Sequence, residues 1–261
     1  MRLAKVFTCV QILTGIFSIN NVFAADLTRT QVEHLLTAGS AQQPADLRRK
    51  DLKNVDLSHL DFRQADLWGA DLRNANFSHS NLSGLVLDLT VMTKINFAHA
   101  DLSHSSVFGV HMVGADLTAA KLAGSRFIAN LDKANLSQAD LSHANWGVDM
   151  KNQPMGLMRV TLNSANLASA NLSHANLNRA LLRRANFAGA NLQNAVLTGA
   201  DLVMADFTHA DLTNADLSGS LLQDANFTGA NLQGTRFSGI KDKDTLRGLD
   251  SSKNRHQAIF D

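Results

Sequence analysis

The sequence predicts an all-β solenoid, and three observations carry that prediction. From Leu162 to Phe237 a large apolar residue, here named the centre, recurs at every fifth position without a miss. Two residues before each centre stands a small residue, as at Ala165, Ala170, Ala175 and Ala180. Directly before most centres stands Asn or Asp, as at Asn166, Asn171, Asp201 and Asp206. A helix would show apolar steps of three and four residues and an ordinary strand would alternate, so neither period fits. A strict period of five needs a chain that turns a corner every five residues. The small residue and the centre then face inward and the residue between them faces outward. Such a unit buries its apolar side only by stacking on its neighbours.

This A-(D/N)-L-x-x grammar resembles that of the pentapeptide repeat family, over about 45–240. The resemblance implies a right-handed quadrilateral parallel β-helix, four units to a coil, with the small residues and centres filling the interior and short helical caps at both ends. The phenylalanines agree with four units per coil: Phe187, Phe207 and Phe227 are centres twenty apart, and so are Phe77 and Phe97. The polar position agrees as well. At that spacing Asp206 falls between Asn186 and Asn226, Asp211 between Asn191 and Asn231, Asp216 between Val196 and Arg236, and Asp201 between Leu181 and Leu221. Like charges stacked at about 4.8 Å are unfavourable, whereas an amide ladder is favourable. The N-terminal half is less careful, with Asp46 expected over Asp66 and Asp51 over Asp71.

In chain order, residues 1–24 read as a signal peptide. Arg2 and Lys5 make a positive start, an apolar run from Val6 to Ile19 follows, and Val22-Phe23-Ala24 suits cleavage after Ala24. Export to the periplasm or medium of a bacterium is the resulting expectation. Cys9 is the single cysteine and lies in the removed segment, so the mature chain has no disulfide. Removing Arg2 and Lys5 takes the formal charge from +1 to −1. Residues 25–44 read as a helical cap and connector. Thr30 and Glu33 fit a capping box, Val32, Leu35 and Leu36 give an apolar side, and Gly39 is the stop. The repeats occupy 45–240, with a register break over 131–160. There Leu131 comes one residue early, and the stretch from Gly147 to Val160 loses the pattern before it returns at Leu157 or Leu162. That stretch is either a bulged corner repairing the slip or a loop leaving the rod. Residues 241–261 read as a C-terminal cap with one or two short helical turns, in which Ala258-Ile259-Phe260 rejoins the repeat. The rod is expected to have about nine coils and a length of roughly 40–45 Å.

For function the sequence is less explicit. There is no G-x-S-x-G, no His-Cys pair and no H-E-x-x-H, and an Ala/Leu interior leaves no pocket, so an enzyme is not expected and no cofactor is called for. The Asn-x-Ser/Thr tripeptides at Asn81, Asn135, Asn171 and Asn226 are produced automatically by the repeat. Near-neutral charge lacks the basic footprint of a nucleic-acid binder. Some family members resemble DNA in shape and negative charge and bind type II topoisomerases. That reading needs an acidic surface and a cytoplasmic address, and Arg48, Arg49, Lys50, Arg183 and Arg184 are set against it.

The reading that remains is an exported scaffold for protein–protein interaction through its outer faces. Candidate contact residues are Val86 and Val91, which replace Asn or Asp at outward positions, with His111 and with Met150, Pro154, Met155 and Met158 of the irregular stretch. His59, His79 and His99 share one slot, two after the centre and one coil apart. Their column could share a zinc-like metal or act as a pH-sensitive strip. His104, His143, His174 and His209 fill the same slot without forming such a column, so general polarity of the slot explains the histidines equally well. Some family members dimerise through the C-terminal segment; this tail has few large apolar residues to support a homodimer.

Overall fold

The computed structural model describes residues 25–148, 158–241 and 243–260; the expected signal peptide lies outside them. The chain winds as a right-handed quadrilateral β-helix. Its strands are short. β1 (Ala45–Asp46) pairs in parallel with β2 (Ala65–Asp66), β3 (Ser106–His111) with β4 (Arg126–Asn130), and elsewhere one outward residue per unit bridges to its counterpart one coil on. Four faces result, named here by their outward columns. Face 1 runs through Asp46, Asp66, Val86 and Ser106, and face 2 through Asp51, Asp71, Val91 and His111. Face 3 starts at Asp56, Asn76 and Asn96, and face 4 at Asp61, Asn81 and Asp101. The face 3 column continues to Arg247 through nine coil-to-coil steps, or roughly 43 Å at 4.8 Å each.

The five-residue grammar is explained corner by corner. The centre and the small residue are buried, and the residue two after the centre turns the corner in the left-handed region, with φ 59° at His79, 57° at Asn194 and 65° at Gly189. Only Gly, and to a lesser degree Asn, Asp and His, take that conformation cheaply. The outward Asn or Asp accepts the N–H two residues on, as Asn76 Oδ1 does from Ser78 at 3.1 Å, which fixes the approach to the corner. Inside, Phe187, Phe207 and Phe227 stack with centroids 5.0 Å apart, and Phe77 and Phe97 lie tilted at 5.5 Å. Twenty-residue spacing therefore places the rings in columns, and the polar ladder follows the expected neighbours, including Asp46 over Asp66 and Asp51 over Asp71.

At the N-terminus, α1 (Arg29–Ala38) covers the first coil and buries Val32 in the core. Its capping box is Thr28 with Gln31 rather than Thr30 with Glu33; Glu33 instead pairs with Arg29 at 2.7 Å. Among the described residues the first coil has no coil beneath it, and the cap supplies the missing partners. Asp26 Oδ2 accepts the Asp51 N–H at 2.8 Å, and Arg29 donates to the carbonyls of Asp56 and Ser58 at 3.2 and 3.0 Å. Gly39 ends the helix, and its need for glycine is steric: a Cβ there would sit 3.0 Å from Ala45 N and Gln64 O.

The register break starts earlier than expected. β3 carries one residue more than β4, and the shift falls between Phe108 and Val110, at Gly109 with φ 69°. The unit 126–129 is thus one residue short, which is why Leu131 comes early. The following coil is longer: Asn166 meets Asn135 thirty-one residues back, where a regular coil takes twenty. Eleven extra residues therefore lie between the centres Trp146 and Leu162, at the corner between faces 1 and 2, and the coils close on either side of them. Trp146 is fully buried there, stacked on Phe127 at 4.8 Å, with its indole N–H donating to Ser125 Oγ at 3.0 Å.

The tail holds three 3₁₀ turns, Lys243–Thr245, Leu249–Ser251 and Arg255–Gln257, rather than one or two helical turns. It still lays down bridges, Asn226 to Arg247, Asn231 to Lys253 and Arg236 to Ile259, and stacks Phe260 on Phe237 at 4.7 Å.

Candidate interaction surface

The four faces are unlike one another. Faces 3 and 4 are lined by amide ladders. Asn96 Nδ2 donates to Asn76 Oδ1 at 2.9 Å, Asn186 to Asn166 at 3.1 Å and Asn191 to Asn171 at 3.2 Å. Asn226 and Asn231 cap Asp206 and Asp211 in the same way. Beside the ladders stand small side chains such as Ser78, Ala98 and Thr208. Faces 1 and 2 have few such rungs, Asn176 to Asn145 and Thr161 to Asn130 among them.

The large apolar side chains left in solvent divide accordingly. Among the described residues, Trp68, Val86, Leu89, Val91 and Phe108 are exposed in the N-terminal half, Met158 beside the inserted stretch, and Val196, Met204, Leu221 and Ile259 beyond it. Every one belongs to a unit of face 1 or face 2 or to the inserted corner between them; none belongs to face 3 or 4.

The N-terminal group is the denser. Val86 bridges to Ser106 and Val91 to His111, so the two valines and His111 meet near the edge shared by faces 1 and 2. Met158 closes in from the other side, its Cε about 4.0 Å from the place a Cβ on Gly109 would take. Gly109, Val110, Ile128 and Met158 line a shallow cleft of about 250 Å³. Met150, Pro154 and Met155 lie outside the described residues. Sequence reasoning missed Trp68, Leu89 and Phe108, which occupy the two turn positions after a centre, where the residue type follows only a loose rule. The signal was available: three large apolar residues in slots filled mostly by Ser, Thr, Gly, His, Asn or Arg.

These residues forgo local stabilisation. Val86 and Val91 lack the side-chain oxygen that elsewhere holds the approach to the corner. Leu89 is 54 % exposed at φ 61°, a conformation leucine takes at a cost of about 1–2 kcal/mol. Asp88, between them, accepts the Phe108 N–H through its carboxylate while its Oδ1 is buried without a partner, and burial holds its carboxyl above the usual range. At the start of the edge Arg49 lies over Trp68 at 4.9 Å, and Arg48 binds Asp46 at 2.9 Å and reaches Asp66 at 3.6 Å. The hydrogen bonds from Arg48 bring the Asp46 carboxyl down to about 2.

His59, His79 and His99 do form a column, between faces 3 and 4. The rings lie 4.7 and 4.8 Å apart and within 6° of parallel. Their in-plane nitrogens therefore point side by side rather than toward a common point, and no group of three metal-ligating side chains among the described residues is placed to hold an ion. His143 and His174 stack as well, at 4.8 Å and 3°, one coil apart across the thirty-one-residue coil, a spacing that the inserted residues hide in the sequence. All seven of these histidines, His104 and His209 included, sit at positive φ between 56° and 61°. The left-handed corner is thus a backbone reason for histidine in this slot.

Comparison with known proteins bears on the fold. The family model described as pentapeptide repeats matches in 8 copies, over 45–69, 51–87, 70–107, 95–128, 111–146, 165–202 and 200–239. Among solved structures, HetL, a pentapeptide repeat protein involved in heterocyst differentiation regulation from the cyanobacterium Nostoc sp. strain PCC 7120, is 29% identical, with 87% of this chain and 96% of that chain covered and a TM-score of 0.35. Full-length QnrB1, a plasmid-mediated fluoroquinolone resistance protein, is 21% identical over 74% of this chain and 95% of its own, with a TM-score of 0.42. Rfr23 from the cyanobacterium Cyanothece 51142 is 28% identical over 69% of this chain and 91% of its own, with a TM-score of 0.17. No curated protein matches the sequence.

Proposed function

Because the chain belongs to the pentapeptide repeat family, we propose that it is an exported, non-catalytic scaffold that binds another protein through faces 1 and 2. The observation that supports this reading is the sidedness of the rod: exposed apolar side chains on two faces, amide ladders on the other two. A solenoid core stacked from Ala, Leu and Phe spends its side chains on holding the frame, which leaves the outer columns to carry recognition. A lysine- and arginine-bearing pair of faces argues against the topoisomerase-binding DNA mimic, which would need a continuous negative surface.

The test is localisation followed by contact mapping. The full-length chain is expressed, cells are fractionated, and the mature N-terminus is read by mass spectrometry. A chain beginning at Ala25 or Asp26 outside the cytoplasm is the expected result, and an intact Met1 inside the cytoplasm overturns export. A photo-cross-linking residue is then placed in turn on each face. Adducts from faces 1 and 2 are expected, and their absence from all four faces overturns the scaffold.

A further inference from the structure

The edge shared by faces 1 and 2 is continuous over the N-terminal coils. Trp68, Leu89 and Phe108 occupy it in successive coils, with Val86 and Val91 on either side and Met158 at its end. At about 4.8 Å per coil this ridge is roughly 20 Å long, the reach of about six extended residues. Its charges are unevenly placed. The carboxylates of Asp46 and Asp66 are engaged by Arg48, and Asp88 is turned inward onto the Phe108 N–H. Positive groups stand at both ends, Arg49 and Lys50 before Trp68 and Arg159 after Met158.

Building on the scaffold reading, we propose that this ridge binds an extended acidic segment of a partner protein whose apolar side chains alternate with its carboxylates. The apolar side chains lie along Leu89 and Phe108, and one enters the cleft of about 250 Å³ beside Val110 and Met158. The carboxylates face Arg49, Lys50 and Arg159. The features that weaken the local fold point the same way. Leucine at a left-handed corner and valines in place of the corner-fixing Asn or Asp are choices that stability alone disfavours.

The probe is a fluorescein-labelled peptide of alternating glutamate and leucine, followed by fluorescence anisotropy with the whole mature protein. The wild type binds it, and more weakly as salt rises. Leu89→Asn combined with Phe108→Ser weakens binding at least about tenfold, since two apolar contacts are lost. Asparagine suits the left-handed corner, so this variant keeps its melting temperature. Arg49→Glu with Lys50→Glu weakens binding and flattens the salt dependence, whereas Ala188→Gln on face 3 changes nothing. Equal binding by wild type and ridge variants overturns the proposal. So does a preference for a labelled peptide of alternating lysine and leucine. Binding to phosphatidylglycerol vesicles without binding to the peptide makes the ridge a lipid contact and overturns it too. So does self-association, seen by sedimentation, that the ridge variants abolish while the peptide stays unbound. If cross-links in cells arise from faces 1 and 2 of the C-terminal coils, at Val196 or Leu221, and never from position 89, this inference fails while the scaffold reading stands.

Discussion

Asn186→Asp tests whether the amide ladder separates charges along a face. Asn186 lies between Asn166 and Asp206 on face 3. Its Nδ2 donates to Asn166 Oδ1 at 3.1 Å, and its Oδ1 accepts the Ala188 N–H at 2.9 Å. The substitution keeps the second bond and removes the first, a loss of about 1 kcal/mol. It also sets a carboxylate one coil below Asp206. Two unit charges about 4.8 Å apart repel by about 1 kcal/mol in bulk water and by about 3.5 kcal/mol at an effective dielectric of 20. Both positions are half-buried, so the sum at pH 7 is roughly 2–4.5 kcal/mol. Asn166→Asp is the control. Its neighbours are Asn135 and Asn186, so it loses one donor but gains no repulsion, and it costs about 1 kcal/mol. The pH dependence has a definite sign. Repulsion raises the folded pKa of the new pair above its unfolded value. The extra penalty is therefore full at neutral pH, shrinks as pH falls through the raised value, and is absent below the unfolded one. Urea unfolding followed by circular dichroism at pH 7 and at acid pH measures this. Equal costs for the two variants at pH 7, or a difference that persists in acid, would refute the reasoning.

Three further outcomes are expected. Leu202→Ala empties a fully buried centre and lowers stability by about 3–5 kcal/mol in the same urea experiment. Gly248→Ala drives a Cβ into the Thr228 backbone N at a φ of 74°. It loosens the C-terminal coil, seen as faster hydrogen exchange at Arg247 and Lys253 with the middle of the rod unchanged. Asp88→Asn removes a carboxyl whose pKa burial holds up. A raised folded pKa means that the wild type gains stability as pH falls through that value, and the variant loses this gain while becoming the more stable of the two at pH 7. Parallel pH profiles for the two proteins would count against the buried placement of Asp88.

The frame was legible in the sequence because every residue of a unit has one job, and the job repeats. Leu162 to Phe237 announces its centres, and Phe187, Phe207 and Phe227 announce the coil. What the period could not convey lies where units differ in length. The short unit at Arg126 to Ala129 and the inserted residues before Leu162 shift the arithmetic, so the stacking of His143 on His174 was invisible. The contact residues were half legible for a related reason. Val86 and Val91 broke a strict rule and stood out, whereas Trp68, Leu89 and Phe108 broke a loose one. At the helical cap the competition was local: Thr28 and Thr30 both precede a suitable partner by three residues, and Gln31 completes the box at Thr28.

The closing coil has a consequence for polymer growth. Its bridges fall twenty-one, twenty-two and twenty-three residues beyond their partners at Asn226, Asn231 and Arg236, so each side gains a residue and the outline widens step by step. Parallel strand edges left bare at a rod's tip are templates for another molecule to continue the stack, the route by which cross-β fibrils elongate. A rim that no longer has the five-residue outline offers a newcomer no matching seat, and α1 blocks the opposite tip by occupying the hydrogen-bonding groups a preceding coil would use. The irregularity of the two ends thus limits the regularity of the middle to one molecule's length.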